Sequence, residues 1–231
     1  MKQDEEQSYT LQHGCGVAWY AIDYCLMKMK EGEMSRFELN FEQTKATFVL
    51  TLHSFVKAAE TWKMTIPEKH TLALEMKSLG TNLLKRNNFS FAAEKYGLAL
   101  KLLLSDGCRA IPEDSHAEKA NSVRMNLSLC FMKLEMPEAV IYHCNSVISS
   151  LEKEEISELD SPSVDRLIKS LYRRAWAFLQ INEYAKSRAD IDRIMEMDGN
   201  NCEAEKLSVV LGNKIKIGDQ KMSVNLKNLF R

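Results

Sequence analysis

Three stretches of the chain share one form: EMKSLGTNLLKRNNFSFAAEKYGLAL (75–100), VRMNLSLCFMKLEMPEAVIYHCNSVI (123–148) and SLYRRAWAFLQINEYAKSRADIDRIM (170–195). Each has Leu, Ala and Met at three- and four-residue spacing, then a short polar turn, then a second run of the same period. That pattern predicts a pair of helices in each stretch. Small residues recur at matching points: Gly80, Ser128 and Ala175 in the first helices, Ala92 and Ser187 in the second, with Val140 in the second repeat's place. Larger residues follow in step at Leu83, Phe131 and Phe178, then at Tyr96, Cys144 and Ile191. Small side chains let paired helices approach closely, and large ones fill the space between successive pairs. A chain that repeats this arrangement stacks its pairs into a helical solenoid.

The matched points lie 48 and then 47 residues apart (80 to 128, 128 to 175). A tetratricopeptide repeat (TPR) has a period of about 34. The polar insertions SDGCRAIPEDSHAEKA (105–120) and EKEEISELDSPSVD (152–165) account for the excess if they lengthen helix ends and loops. The fold expected is therefore mainly α: a TPR-type solenoid of three helix pairs, at about 68–104, 115–153 and 163–198, inside a domain spanning 65–218. The segment NCEAEKLSVVLGNKIKIG (201–218) reads as a final helix capping the last pair, which a solenoid needs. Gly199, just before it, suits a turn made by positive φ. The tail DQKMSVNLKNLFR (219–231) either continues the cap or docks by its Phe230 end, and its basic, apolar character is also that of a calmodulin-target-like segment.

Before residue 65 the texture differs. CGVAWYAIDYCLMKMKEGE (15–33) reads as an amphipathic helix ended by Gly32, and TFVLTLHSF (47–55) alternates as a half-buried strand does. WKMTIPEKH (62–70) is the junction, with Pro67 in the first turn of the next helix. One helix and two or three strands make a poor independent core, so this segment is expected to pack on the first repeat or to be loosely ordered.

Charge and composition narrow the function. With 31 basic and 32 acidic residues the net charge is −1, so no global basic field draws the chain to nucleic acid or anionic lipid. Six cysteines include no C-x-x-C pair, which argues against zinc and for reduced thiols in a reducing compartment. The start MKQDEEQSYT is not a secretory signal, and no apolar run reaches membrane-spanning length. The expected location is cytosol or nucleus. Five scattered histidines (His13, His53, His70, His116, His143) fit no catalytic triad, and no paired-carboxylate or Gly-rich phosphate arrangement accompanies them, so neither metal nor cofactor is expected. What stands out instead is Lys169 and Arg173, two cations four residues apart on one helix with no acid between them.

The pattern Lys-x-x-Gly-Thr (77–81), Asn-Leu-x-x-Cys (126–130) and Lys-x-x-Tyr-Arg-Arg-Ala (169–175) resembles the TPR domain of the large immunophilin co-chaperones of the FK506-binding (FKBP) class. HSFVKAAETWKMTIPEK (53–69) resembles that family's exit from its isomerase domain. YCLMKMKEGEMSRFELNFEQTKATFVLTLHSF (24–55) resembles the helix and last strands of an isomerase domain with the connecting loop cut out, as in the divergent, FKBP-like members. The resemblance thus makes residues 1–64 a degenerate, truncated FKBP-like α+β segment.

It also implies a function. Repeats of this kind bind the C-terminal peptide of heat-shock protein 90 or 70, ending Glu-Glu-Val-Asp, through a carboxylate clamp. The clamp falls here on Lys77, Thr81, Asn126, Lys169 and Arg173. Two adjacent anions need donors converging from several helices, and charge-assisted bonds are about twice as strong as neutral ones. Thr81 stands where many clamp proteins have asparagine. Each of these residues also has a plainer reading: a helical Lys or Arg is usually a solvated charge, and Asn126 suits a structural amide. Arg174 is left out of the clamp, as a residue facing outward or supporting helix packing. The other functional reading is a TPR scaffold for a different protein, independent of chaperones. Prolyl isomerase activity is not expected, because the step from RFELNF (36–41) to TKATFVLTL (44–52) omits the pocket loop. Trp19, near a pocket-floor position, then reads as core.

Overall fold

The computed structural model describes residues 22, 24–41, 44–56, 60–105, 113–152 and 160–229. Trp19, Cys15 and Cys108 lie outside the described residues, as do residues 15–21 and 23 of the expected 15–33 helix. Two strands, β1 (Met34–Phe41) and β2 (Thr44–Thr51), form an antiparallel hairpin. Seven helices follow: α1 (Ile66–Lys85), α2 (Phe89–Leu103), α3 (Glu113–Lys133), α4 (Pro137–Leu151), α5 (Ser161–Gln180), α6 (Tyr184–Met197) and α7 (Cys202–Leu229). The first six are the three expected pairs, and the fold is the mainly α solenoid that the repeats predict.

The long period is explained by long first helices, of 20, 21 and 20 residues, each paired with one of 14 or 15. At the entry to α1, Glu68 Oε2 accepts from the Thr65 backbone N–H at 2.7 Å and from its hydroxyl at 2.8 Å, so one carboxylate ties down the first turn. The Asp160 side chain does the same for α5 by accepting from Ser163 N–H at 3.1 Å.

Each first helix ends identically. Asn87, Glu135 and Asn182 have φ of 60°, 56° and 62°, and they too lie 48 and 47 residues apart. The next N–H reaches back five residues in each case: Asn88 to Leu83 O, Met136 to Phe131 O, Glu183 to Phe178 O, at 3.0, 2.9 and 2.9 Å. This left-handed residue followed by a six-to-one bond satisfies the last carbonyls and reverses the chain into the second helix.

The small residues act as expected. A Cβ on Gly80 would stand 2.9 Å from two ring carbons of Tyr96, so only glycine lets α1 and α2 close over that ring. In the third pair the contact is polar as well, with Ser187 Oγ donating to Ala175 O at 2.9 Å. Two apolar cores result, one from Ala73 to Cys130 and one from Met125 to Leu211, with Phe131 packed against both. Val140, in the place of a small residue, is fully buried in the second core.

Several boundaries differ from the expectation. The helical turn before the hairpin has ended by Leu26, and Gly32 (φ 78°) instead makes the turn into β1, donating its N–H to Leu52 O at 2.7 Å. β2 stops at Thr51 because its partner begins at Met34, which leaves His53–Val56 exposed and outside the sheet. Gly199 does not take positive φ; Asp198 and Asn201 make that turn, Asn201 N–H donating to Asp198 O at 3.2 Å while Asn201 Oδ1 caps α7 through Ala204 N–H at 3.0 Å. α7 runs on to Leu229, so the segment from 219 is helix continuous with the cap and not a separate tail.

Candidate functional site

The first helices α1, α3 and α5 are joined edge to edge by side chains. Lys119 Nζ of α3 lies 3.1 Å from His70 Nε2 of α1. Arg166 of α5 donates to Glu118 of α3 at 3.2 Å, and Ser170 Oγ donates to Met125 Sδ at 2.9 Å. All five sequence-predicted residues lie on these helices, and they fall into three groups.

Lys77 and Thr81 are one turn apart on α1 and half-buried. Thr81 Oγ1 donates to Lys77 O at 2.9 Å and lies 3.0 Å from the Tyr96 hydroxyl. Asn126 of α3 is half-buried. Burial raises the Tyr96 pKa, while the neighbouring Thr81 hydroxyl holds it back. Thr81 and Tyr96 thus form one polar contact between the two helices of the first repeat.

The α5 cations differ from each other. Lys169 is exposed, and among the described residues neither it nor Lys77 has a carboxylate partner. Arg173 is half-buried and already engaged: its Nη1 donates to Met125 O and, at 3.0 Å, to Ser128 Oγ. Burial lowers its pKa, and the neighbouring Cys144, Cys130 and Glu203 work the other way. Burial also pushes the thiols of Cys130 and Cys144 up to about 11, so both are neutral at physiological pH. Arg173 therefore straps the third repeat to the second and brings its remaining donors to the same edge as Asn126. Arg174 supports packing, as its exclusion from the clamp allowed: two bonds to Asp190 (2.8 and 2.6 Å) and one to Asn145 (2.7 Å). Burial opposes the Arg174 charge, but the Asp190 bonds outweigh it and raise its pKa.

Three features were not found by reading the sequence for function. In the sequence Tyr96 reads only as a space-filler, at the register of Cys144 and Ile191. His70, Lys119 and Arg166 each lie seven residues before Lys77, Asn126 and Arg173, two turns up the same helix faces; the heptad spacing was the available signal. Arg124 occupies the register position of Met76 and Leu171, 48 residues on and 47 back, and so puts a guanidinium into a slot that the other repeats fill with apolar side chains. Its Nε and the Nδ1 of His143 are buried without a partner among the described residues. No group of residues suited to a metal ion, and no helix long and apolar enough to cross a membrane, occurs among the described residues.

No protein-family model matches the chain. It is similar to the human FK506-binding protein-like protein, at 30% identity over 185 residues that cover 80% of this chain and 47% of that one. It is similar also to the bovine peptidyl-prolyl cis-trans isomerase FKBP4, at 29% over 187 residues, covering 79% of this chain and 37% of that one. The chain thus spans about half the length, or less, of the curated relatives it matches. Among solved structures, the C-terminal TPR-containing domain of a Plasmodium falciparum FK506-binding protein superimposes with a TM-score of 0.56 at 19% identity, over 70% of this chain and 99% of that one. That likeness concerns the fold.

Proposed function

Because the chain belongs to the FKBP-like immunophilins that carry a TPR domain, we propose that it is a co-chaperone adaptor. Its α1–α3–α5 face takes the C-terminal Glu-Glu-Val-Asp peptide of heat-shock protein 90, and of heat-shock protein 70 where the upstream residues fit. The observation that carries this reading is the set of donors on three successive first helices: Lys77 and Lys169 without acidic partners among the described residues, the Asn126 amide, and Arg173 anchored beside it. Two cations left without a carboxylate, next to an amide and a guanidinium, favour a ligand bearing two close anions, such as a C-terminal aspartate. Cytosol or nucleus is where such a partner would be met.

The same reading makes the chain a non-enzyme. β1 ends at Phe41 and β2 begins at Thr44, so two residues stand where the resemblance calls for a pocket loop, and neither core includes a hairpin residue among those described. A prolyl-peptide turnover assay that detects activity overturns this part alone.

Calorimetric titration with a peptide ending Glu-Glu-Val-Asp tests the adaptor reading, beside its C-terminally amidated twin. The informative variant is Lys169→Ala, because Lys169 is exposed and its loss leaves packing intact, whereas Arg173→Ala also removes the bonds that join α5 to Met125 O and Ser128 Oγ of α3. A lost charge-assisted bond corresponds to weakening of about ten- to a hundredfold. Equal binding of the amidated peptide, or indifference to Lys169→Ala, overturns the clamp and leaves the scaffold reading.

A further inference from the structure

We infer that β1 is a dimerisation edge: two copies of the chain pair their β1 strands antiparallel about Phe37, so that Arg36 of each copy meets Glu38 of the other. The inference is independent of the peptide-binding face, and it joins two such faces in one bivalent particle.

The backbone supplies the edge. Leu52 N–H donates to Glu33 O at 2.9 Å, and Met34 to Phe41 run in register with Thr51 to Thr44. Antiparallel pairs alternate between bonded and non-bonded, so the residues of β1 bonded to β2 are Ser35, Phe37, Leu39 and Phe41. Met34, Arg36, Glu38 and Asn40 therefore turn their N–H and C=O groups away from β2, and among the described residues the sheet has no third strand to receive them. Natural edges are commonly blunted by lysine, proline or a bulge. MSRFELNF contains neither residue, and its register with β2 is unbroken.

The side chains supply the register and the occupant. Arg36 and Glu38 stand on one exposed face of β1, opposite Val49 and Thr47, and neither has an ion-pair partner among the described residues. In a new antiparallel pair the outward-bonding residues must face one another. Centred on Phe37, that pairing sets Arg36 against Glu38 twice and Met34 against Asn40 twice. Centred on Arg36 or on Glu38, it sets like charge against like. On the other face the dyad brings Phe37 against its own copy in a closely spaced, non-bonded pair. The Phe37–Phe48 contact of 5.8 Å then extends into a row of four rings. Lys45 is the one charge among the outward-bonding residues of β2, so that edge fixes no such register. A strand complementary to itself in both charge and register fits a second copy of this chain, in a two-fold pairing that closes after two.

Sedimentation velocity of the full chain, with hydrogen exchange on the same samples, tests this. Strands of eight residues make a small interface, so a weak dimer is expected, forming at about 0.1 mM. As it forms, exchange should slow at the Arg36 and Glu38 amides and stay constant at Thr47 and Val49, whose amides lie on the outer edge of β2. Arg36→Glu should weaken association about tenfold, because the symmetry counts each substitution twice, and Glu38→Arg should do the same. An equimolar mixture of the two variants should regain the dimer, since every facing pair is then opposite in charge again; that recovery also shows both variants folded. A chain that stays monomeric to about 1 mM, ten times that concentration, overturns the inference. So does a dimer indifferent to Arg36→Glu, or a mixture no stronger than its parts. Protection of the Arg36 and Glu38 amides that does not depend on concentration would place a segment of the same chain on the edge, and overturns it too.

Discussion

The hairpin and the helix pairs are both built on alternation of apolar and polar residues, yet they end in different states. Met34 and Val49 of the hairpin remain 68% and 53% exposed, while Leu167, Leu171 and Ala175 of the third pair are fully buried. Among the described residues, neither core has a fully buried member before Ala73, and Leu72 packs against the first. A two-stranded sheet has one narrow apolar face and nothing of its own to lay over it. A helix pair is no better alone, but the next pair covers it, and the chain supplies three pairs and a cap. Repetition closes this core, and residue type alone does not.

The contrast breaks most visibly at Leu171. It is fully buried in the second core, and Leu171→Ala should cost about 2–5 kcal/mol in a urea titration. Because Phe131 packs against both cores, the loss should appear as one shifted transition. Two separate transitions would show that the halves of the solenoid are not coupled.

Acid should act next most strongly, again on the solenoid. Burial, aided by the Arg124 charge, pushes the His143 pKa down to about 4 from 6.5. Between those values the unfolded chain binds a proton that the folded one refuses, so stability rises with pH and falls as pH drops. From pH 7 to pH 5 the loss from this residue should be about 2 kcal/mol. Few carboxylates titrate in that range, so His143→Gln should flatten most of the slope. An unchanged slope would mean that His143 is charged in the folded state.

A smaller effect sharpens the comparison among the repeats themselves. Asn87 and Asn182 tolerate their left-handed backbone, but Glu135 occupies the same place at φ 56°. Glu135→Gly should stabilise the protein by about 0.5–1 kcal/mol, the relieved strain being partly offset by the freer unfolded chain. The corresponding change at Asn87 should do less.

How much of this was legible in the sequence follows from what repeats and what does not. Gly80, Ser128 and Ala175 can be aligned by eye because close helix approach tolerates few residue types, so pairs and stacking were readable. Asn87 and Asn182 are also recognisable helix-stop residues, whereas Glu135 is not, and only the backbone shows the three as one device. Gly199 misled for the opposite reason: glycine permits positive φ without requiring it, and Asp198 with Asn201 made the turn instead. At the site, the helical spacing of Lys169 and Arg173 was evident. Which of the two is free was not, because the Arg173 bonds to Met125 and Ser128 depend on how one repeat sits on the next. Tyr96 escaped notice as a polar group because an apolar register position hides a hydroxyl.

A substitution with no expected effect on global stability decides whether the two regions are separate at all. Phe37 and Phe48 face each other across the hairpin with ring centroids 5.8 Å apart. Phe37→Ala removes about 0.5–1.5 kcal/mol of pairing beyond area burial. If the hairpin stands apart from the solenoid, that loss is local: hydrogen exchange should quicken at the cross-strand amides of Ser35 and Leu50 and stay constant in α5, and the urea midpoint should not move. Peptide affinity should be unchanged too, since no residue of the proposed site lies before Lys77. A shifted midpoint would mean that the hairpin shares the cooperative unit of the helices, and its exposed Met34 and Val49 would then have to be explained within a single fold.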